Sequence, residues 1–324
     1  MLRLRRAFLI LVIGLFMCTG LFAQDIMDQY FDARTLNDQI EKLVRNVSNL
    51  LPDSTTLQNV WSLSPSNSGN WFALGASASI SWMEMSQVSK IRDGLGEFAD
   101  NHNITRFPTD IPFLPGVAFD LRFGRRNIDF GFTGMWLNEN ILIDWVGTSF
   151  LGEGSHFSYR QFGFDFRYLL YDGTNAPKPL IPNVYAHAGY YFTWINFGIA
   201  AGSEWVDTEF VNDSFVLGAQ VSSDAWKVAL FRPYLGIKMI ASKTYSGYEW
   251  QTQRPVMIDD EVYLNGANYV SGGKEGDFYL YCQLYGGVGI NFALPHLLTL
   301  GVSYNPVTDH FSVNMSLRLI LGRK

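Results

Sequence analysis

The chain has 324 residues, with 24 Lys+Arg against 30 Asp+Glu; charged residues make up only 17% and aromatics reach 15%. A soluble domain is about a quarter charged, so this balance argues against an ordinary soluble surface. The acidic sign excludes nucleic acid as a partner, because phosphate contacts need bases. Two cysteines, Cys18 and Cys282, cannot form a thiolate cluster for zinc, and no metal or other cofactor is expected.

Residues 1–23 read as a secretory leader. Arg3, Arg5 and Arg6 precede an apolar run from Ala7 to Met17, and small residues surround a cleavage point after Ala23. A membrane anchor is the alternative, but the chain turns polar at once at Gln24 and Asp25. A lipoprotein would use Cys18, yet Met17 stands where a small residue is wanted. Cleavage removes three of the 24 basic residues and leaves 21 against 30 acidic ones. It also leaves Cys282 alone, so an exported chain must hold itself together without an internal disulfide.

Residues 24–69 form a helical segment. Leu36, Ile40, Leu43, Val44, Val47 and Leu51 recur at spacings of three and four, the stripe of an amphipathic helix. Thr35 can cap its start, with Asp38 three residues on, and Pro52 is expected to end it. The segment lies either in the periplasm or inside whatever follows.

Residues 70–324 read as strands with one oily and one wet face. The oily faces run Phe72–Ile80, Val117–Phe123, Ile128–Trp136, Phe162–Tyr168, Val184–Trp194, Phe215–Val221, Leu235–Met239, Leu284–Phe292, Leu298–Tyr304 and Phe311–Leu321, every second residue being apolar or small. The other faces carry many glycines and a few charges of both signs. That suits an enclosed lumen better than bulk water. No mature stretch is apolar for the roughly 20 residues that a membrane helix needs, so a membrane protein of this composition must span as a closed barrel. The connections alternate as such a barrel requires. Those expected outside include Met85–Ile111, Asn138–Ser155, Ala201–Asp213 and Ser246–Asp277; those expected inside include Gly124–Asn127 and Ala293–His296. The fold class is therefore an all-β transmembrane protein, an antiparallel up-and-down β-barrel of about ten strands with a short N-terminal amphipathic helix. Twelve strands is the alternative, if Asn140–Gly147 extends a hairpin.

The leader, the N-terminal amphipathic segment and the alternating C-terminal strand Phe311–Leu321 resemble outer-membrane β-barrel proteins of diderm bacteria. The chain departs from a common feature of these proteins by ending in Gly322-Arg323-Lys324 rather than an aromatic residue. The resemblance implies an outer-membrane location, contact with outer-membrane lipid, and passage of small solutes or contact with host or cell-surface ligands. A barrel of this size is expected to be a monomer.

Two charge groups are candidate sites. Asp120, Arg122, Asp129, Asp165, Arg167, His187, Lys238 and Arg318 face the expected lumen, as a structural network or as a constriction. Glu204, Asp207, Glu209, Asp259, Asp260 and Glu261 lie in expected external loops, where an acidic rim would favour cations. The resulting reading is a narrow channel or transport barrel for small solutes with a cation preference. The alternatives are a surface barrel or adhesin acting through its loops, a hydrophobic-compound uptake barrel, and a lipid hydrolase. For the last, His156 and Ser158 lie two apart on one strand, as in lipid A deacylases, with Glu153 near by. His102 with Asp100 and Asp110 would suit a surface protease. Neither group carries a catalytic motif, and no enzyme activity is expected.

Overall fold

The computed structural model describes residues 31–32, 41, 44–45, 48–53, 55–57, 60–63, 65, 69–82, 113–138, 156–173, 182–201, 204–223, 231–252, 256–258, 261–263, 269–293 and 296–322. A two-residue strand, β1 (Phe31–Asp32), comes first. Positions 41, 44, 45, 48–53 and 55–57 are helical. Then follow β2 (Trp71–Trp82), β3 (Phe113–Arg125), β4 (Ile128–Asn138), β5 (His156–Tyr171), β6 (Asn183–Ala201), β7 (Glu204–Ser222) and β8 (Phe231–Thr252). Two three-residue strands, β9 (Val256–Ile258) and β10 (Glu261–Tyr263), interrupt the series before β11 (Tyr269–Ala293), β12 (His296–Asn305) and β13 (His310–Leu321).

Ten of these strands, β2 to β8 and β11 to β13, form one closed antiparallel barrel. Sequential neighbours pair throughout, and β13 closes on β2 from Phe311 opposite Trp82 to Leu321 opposite Phe72. Closure removes every sheet edge, which a lipid environment demands of a spanning sheet. The strands are the ten that hydropathy alternation predicts, and the twelve-strand alternative falls away. No helix among the described residues is long and apolar enough to cross a membrane.

The burial pattern settles which face meets the outside. Phe119, Phe123, Phe132, Phe164, Leu217, Leu235, Met239, Leu280, Met315 and Leu317 are exposed on the outer wall. Ser77, Ser79, Asp120, Arg122, Asp129, Arg167, Lys238, Ser316 and Arg318 are buried on the inner wall. This inverts a soluble protein. Soluble monomers rarely expose apolar patches beyond a few hundred Å², whereas here apolar residues encircle the barrel. On β5 the belt runs from Leu170 up to Phe162 and on β13 from Leu321 up to Phe311, matching the 9–11 residues of a membrane-crossing strand.

The two ends differ. The lower end has the turn Arg126–Asn127, the connections 172–182, 223–230 and 294–295, and the junction of β13 with β2. The upper end has the connections 83–112, 139–155, 202–203 and 253–268 and the turn 306–309. Two expected external loops are largely strand. Residues 204–213 belong to β7 and pair with β6 up to Glu204 opposite Ala201. Residues 246–252 and 269–277 extend β8 and β11, paired up to Tyr269 opposite Thr252. Alternation persists there with polar residues on both faces, and that polarity reads as loop in a sequence.

The helix also continues past Pro52, against expectation. An interior proline frees the carbonyl four residues back, here that of Ser48. Thr244 on the barrel wall donates to that carbonyl at 3.5 Å. Ser48, Thr55 and Thr56 further brace the helix through hydroxyl bonds to the carbonyls of Val44, Leu51 and Pro52. Thr35, Asp38 and the connections 83–112 and 139–155, including Asn140–Gly147, lie outside the described residues.

The segment ahead of the barrel enters the lumen. Ser48, Leu50, Leu51, Asp53, Leu57, Trp61, Ser62 and Leu63 are all buried. β1 pairs in parallel with β9, which pairs with β10, at the upper end. Asn70 enters β2 at the lower end. The chain between β1 and β2 therefore runs the height of the barrel.

Candidate functional site

The lumen and the segment inside it form the best-defined polar centre of the molecule. Strand alternation aims every second side chain inward, and the inner wall is largely polar, interrupted by an apolar and aromatic cluster of Tyr191, Val216, Ile240 and Tyr281. Its upper part holds Asn212, Ser214, Ser242, Thr244, Asn305, Ser312 and Ser81, linked by bonds such as Asn212 Nδ2 to Ser242 Oγ at 2.7 Å and Ser312 Oγ to Ser81 Oγ at 2.7 Å. Its lower part holds the charges.

The wall grips the segment at successive heights. Thr244 donates to the Ser48 carbonyl. Gln283 and Asn305 donate to the Asp53 carboxylate at 3.0 and 3.1 Å. Gln161 reaches the Thr55 carbonyl at 3.5 Å, and Lys238 Nζ donates to Thr56 Oγ1 at 3.0 Å. Asn314 donates to the Leu57 carbonyl at 3.3 Å and Arg318 to that of Val60 at 3.1 Å. Tyr185 and Gln220 both donate to the Trp61 carbonyl, at 3.0 and 2.7 Å. Arg167 donates to the Leu63 carbonyl at 2.7 Å. Each bond contributes roughly 1 kcal/mol net, so the set holds the segment firmly only while it acts together.

Trp61 sits among the lower charges. Three guanidinium groups lie over its ring, with Cζ to centroid distances of 4.1 Å for Arg318, 4.9 Å for Arg122 and 5.7 Å for Arg167. It packs with Leu63, Trp71, Ala73, Leu297 and Ile320. Cation–π attraction is strongest over indole and where water is excluded.

The structure brings six of the eight predicted lumen charges into this ring. Asp129 joins Arg122 to Arg167, the latter at 2.7 Å. Asp165 accepts two bonds from Arg122 at 2.6 and 2.7 Å, and Asp120 pairs with Arg318 at 3.0 Å. All six are essentially buried. The other two stand apart from these pairs. His187 Nε2 lies 3.1 Å from the Tyr285 hydroxyl, and Lys238 lies over the Tyr285 ring at 5.4 Å.

Of the predicted acidic rim, only the side chains of Asp207 and Glu209 are described. Asp207 and Glu209 sit on the outward face of β7, the face that carries Phe215 and Leu217 lower down. They point outward because alternation continues unbroken past the belt. Glu209 accepts a bond from Trp194 Nε1 at 2.9 Å. Glu204 opens β7 and Glu261 opens β10; Asp259 and Asp260 lie outside the described residues, as do His102, Asp100, Asp110 and Glu153. Ser158 lies on the outward face of β5, whose first residue is His156.

Sequence reasoning missed Trp61 and the wall amides that hold the segment. A signal was present: Gln161, Gln220, Gln283, Asn305 and Asn314 all fall on inward positions. Buried amides need partners, and here the segment supplies them.

No family model matches the sequence, and no curated protein matches it. Solved structures do. The chain is similar to the outer membrane protease OmpT from Escherichia coli at 8% identity, covering 80% of this chain and 99% of that one with a TM-score of 0.43. It is similar to the translocator domain of autotransporter NalP from Neisseria meningitidis at 9% identity, covering 89% and 99% with a TM-score of 0.36. It is also similar to the CymD monoaromatic hydrocarbon channel at 10% identity, covering 84% and 92% with a TM-score of 0.25. In class, the molecule is a closed ten-stranded transmembrane β-barrel.

Proposed function

We propose that the protein is an outer-membrane barrel that passes small polar solutes when its N-terminal segment leaves the lumen, and that the fold described above is its closed state. The lower end, whose connections are shorter on the whole, is the periplasmic one, and the upper end faces outside. The observation that carries this reading is the polar inner wall. A permanently filled interior is packed at least as well by apolar side chains. The Ser, Thr, Asn and Gln side chains among the apolar ones of that wall, such as Ser81, Asn212, Ser214, Ser242, Thr244 and Ser312, are what water needs once the segment moves.

The lumen charges set the expected selectivity. With the segment gone, Arg122, Arg167, Arg318 and Lys238 stand against Asp120, Asp129 and Asp165. The balance leans positive, and Asp207 and Glu209, two of the acids first expected to form the mouth, lie on the outer face of β7. A weak anion preference replaces the cation preference read from the sequence.

The test is conductance in a planar bilayer. The intact mature chain is expected to be silent or rarely open. Deletion of residues 25–61 is expected to give steady current with a small anion preference in its reversal potential. Steady current from the intact chain, or silence from a folded deletion, would contradict the reading.

A second reading is favoured by the strands that rise above the belt. β7, β8 and β11 run 19, 22 and 25 residues, well beyond membrane needs, and carry β1, β9 and β10 on top. A surface ligand would bind there, and removal of residues 253–268 would abolish that binding without changing current.

A further inference from the structure

Arg160 is a cation on the lipid-facing side of the wall. It occupies the outward position of β5 directly above Phe162, Phe164, Phe166, Tyr168 and Leu170, all exposed and apolar or aromatic. From Leu170 to Arg160 is ten residues of strand, roughly 25 Å of height at the usual rise and tilt. That distance equals the apolar band of a membrane barrel. Arg160 therefore stands at the upper headgroup level.

Two tryptophans flank it. Register sets Trp136 of β4 and Trp194 of β6 directly opposite Arg160 on either side. The guanidinium carbon lies 4.9 Å from the Trp136 ring centroid and 4.5 Å from that of Trp194. Glu209, on the same outer face, takes the Trp194 indole N–H at 2.9 Å. Arg160 Nε is buried without a hydrogen-bond partner, and among the described residues no carboxylate pairs with this guanidinium.

We propose that Arg160, clamped between Trp136 and Trp194, binds the phosphate of an anionic lipid in the outer leaflet. A cation at the edge of hydrocarbon needs a counter-charge. The two indoles hold the guanidinium plane, and its N–H edge remains to form the forked bond that guanidinium makes with phosphate. Phe162 and Phe164 below offer an apolar surface for the acyl chains. The site rests on the lipid-facing belt and not on whether the lumen conducts.

The test is native mass spectrometry of the detergent-folded mature protein. It would be titrated with phosphatidylglycerol, with diacylglycerol of the same chains, and with phosphatidylglycerol in excess inorganic phosphate. The wild type is expected to retain one phosphatidylglycerol about tenfold more tightly than Arg160→Gln. Arg160→Lys should fall between, because it keeps the charge and loses the fork. Diacylglycerol should not distinguish the three proteins, and inorganic phosphate should compete poorly. Folding of each variant is checked by its heat-modifiable gel mobility. Equal retention of phosphatidylglycerol by wild type and Arg160→Gln would overturn the proposal. So would equal competition by inorganic phosphate, which would make this a free-anion site. If Arg160→Gln does not fold, Trp194→Phe with Trp136→Phe must weaken phosphatidylglycerol retention, and unchanged retention there also overturns it.

Discussion

Asp129 has a carboxylate with both neighbours fixed by register. β3 and β4 set Arg122 across from Gly131, and β4 and β5 set Arg167 directly opposite Asp129. The acid is fully buried between two guanidinium groups. Removing one partner of a buried ion pair leaves the other uncompensated, typically at about 3–5 kcal/mol. Asp129→Asn is therefore expected to lower unfolding stability by about 3 kcal/mol, read by urea unfolding of the barrel in lipid vesicles. A change within about 0.5 kcal/mol would mean that water, not Asp129, compensates the arginines. Space is as constrained as charge. A side chain at Gly131 would collide with Asp165 Oδ1 and the Arg122 guanidinium, whereas one at Gly134, on the outer face, meets nothing closer than 3.8 Å. Gly131→Val should destabilise the folded barrel by about 2 kcal/mol or more, and Gly134→Ala should stay within about 0.5 kcal/mol. Equal effects at the two positions, in the same unfolding assay, would argue against a packed charge ring.

At the scale of elements, the strands were legible because their oily faces alternate without interruption. Phe119-Leu121-Phe123 and Phe162-Phe164-Phe166 are outward triplets that no soluble sandwich would leave uncovered. The predicted lumen charges were legible for the same reason: Asp120, Asp165 and Arg318 fall on the opposite parity. Their partners were not, because pairing depends on register between strands, and a single sequence states no register. The upper parts of β7, β8 and β11 read as loops because period-two hydropathy marks a strand only where one face is apolar, and above the lipid neither face is. The helix through Pro52 was missed because a local rule was overridden by a distant donor, Thr244. The β8–β11 extension is thus a separable element. Deleting residues 253–268 is expected to leave the heat-modifiable mobility of the barrel unchanged, since the closing register from Ile240 opposite Tyr281 down to Phe231 opposite Ile290 lies wholly below it. Loss of the folded band would show that the upper sheet of β1, β9 and β10 is part of the folding core.

The whole molecule is built on an exchange of faces: apolar belt outside, polar wall inside, and a segment of its own chain between the walls. The amphipathic helix and the polar lumen explain one another, since buried wall amides and arginines find acceptors in the segment's carbonyls. The direction of the segment follows from its contacts. Ser48 meets the upper wall, Thr56 the middle and Leu63 the lower ring, so the chain descends through the barrel before entering β2. That occupation is the central claim, and one pair of residues tests it directly. Ser62 Oγ on the segment lies 3.3 Å from Thr299 Oγ1 on β12. Ser62→Cys with Thr299→Cys, in a chain carrying Cys282→Ala, should form a disulfide under mild oxidation in native membranes. The bond would be seen as a mobility change that a reductant reverses. Two thiols that remain free and open to a maleimide reagent, in barrels shown to be folded, would contradict a lumen filled by its own N-terminal segment.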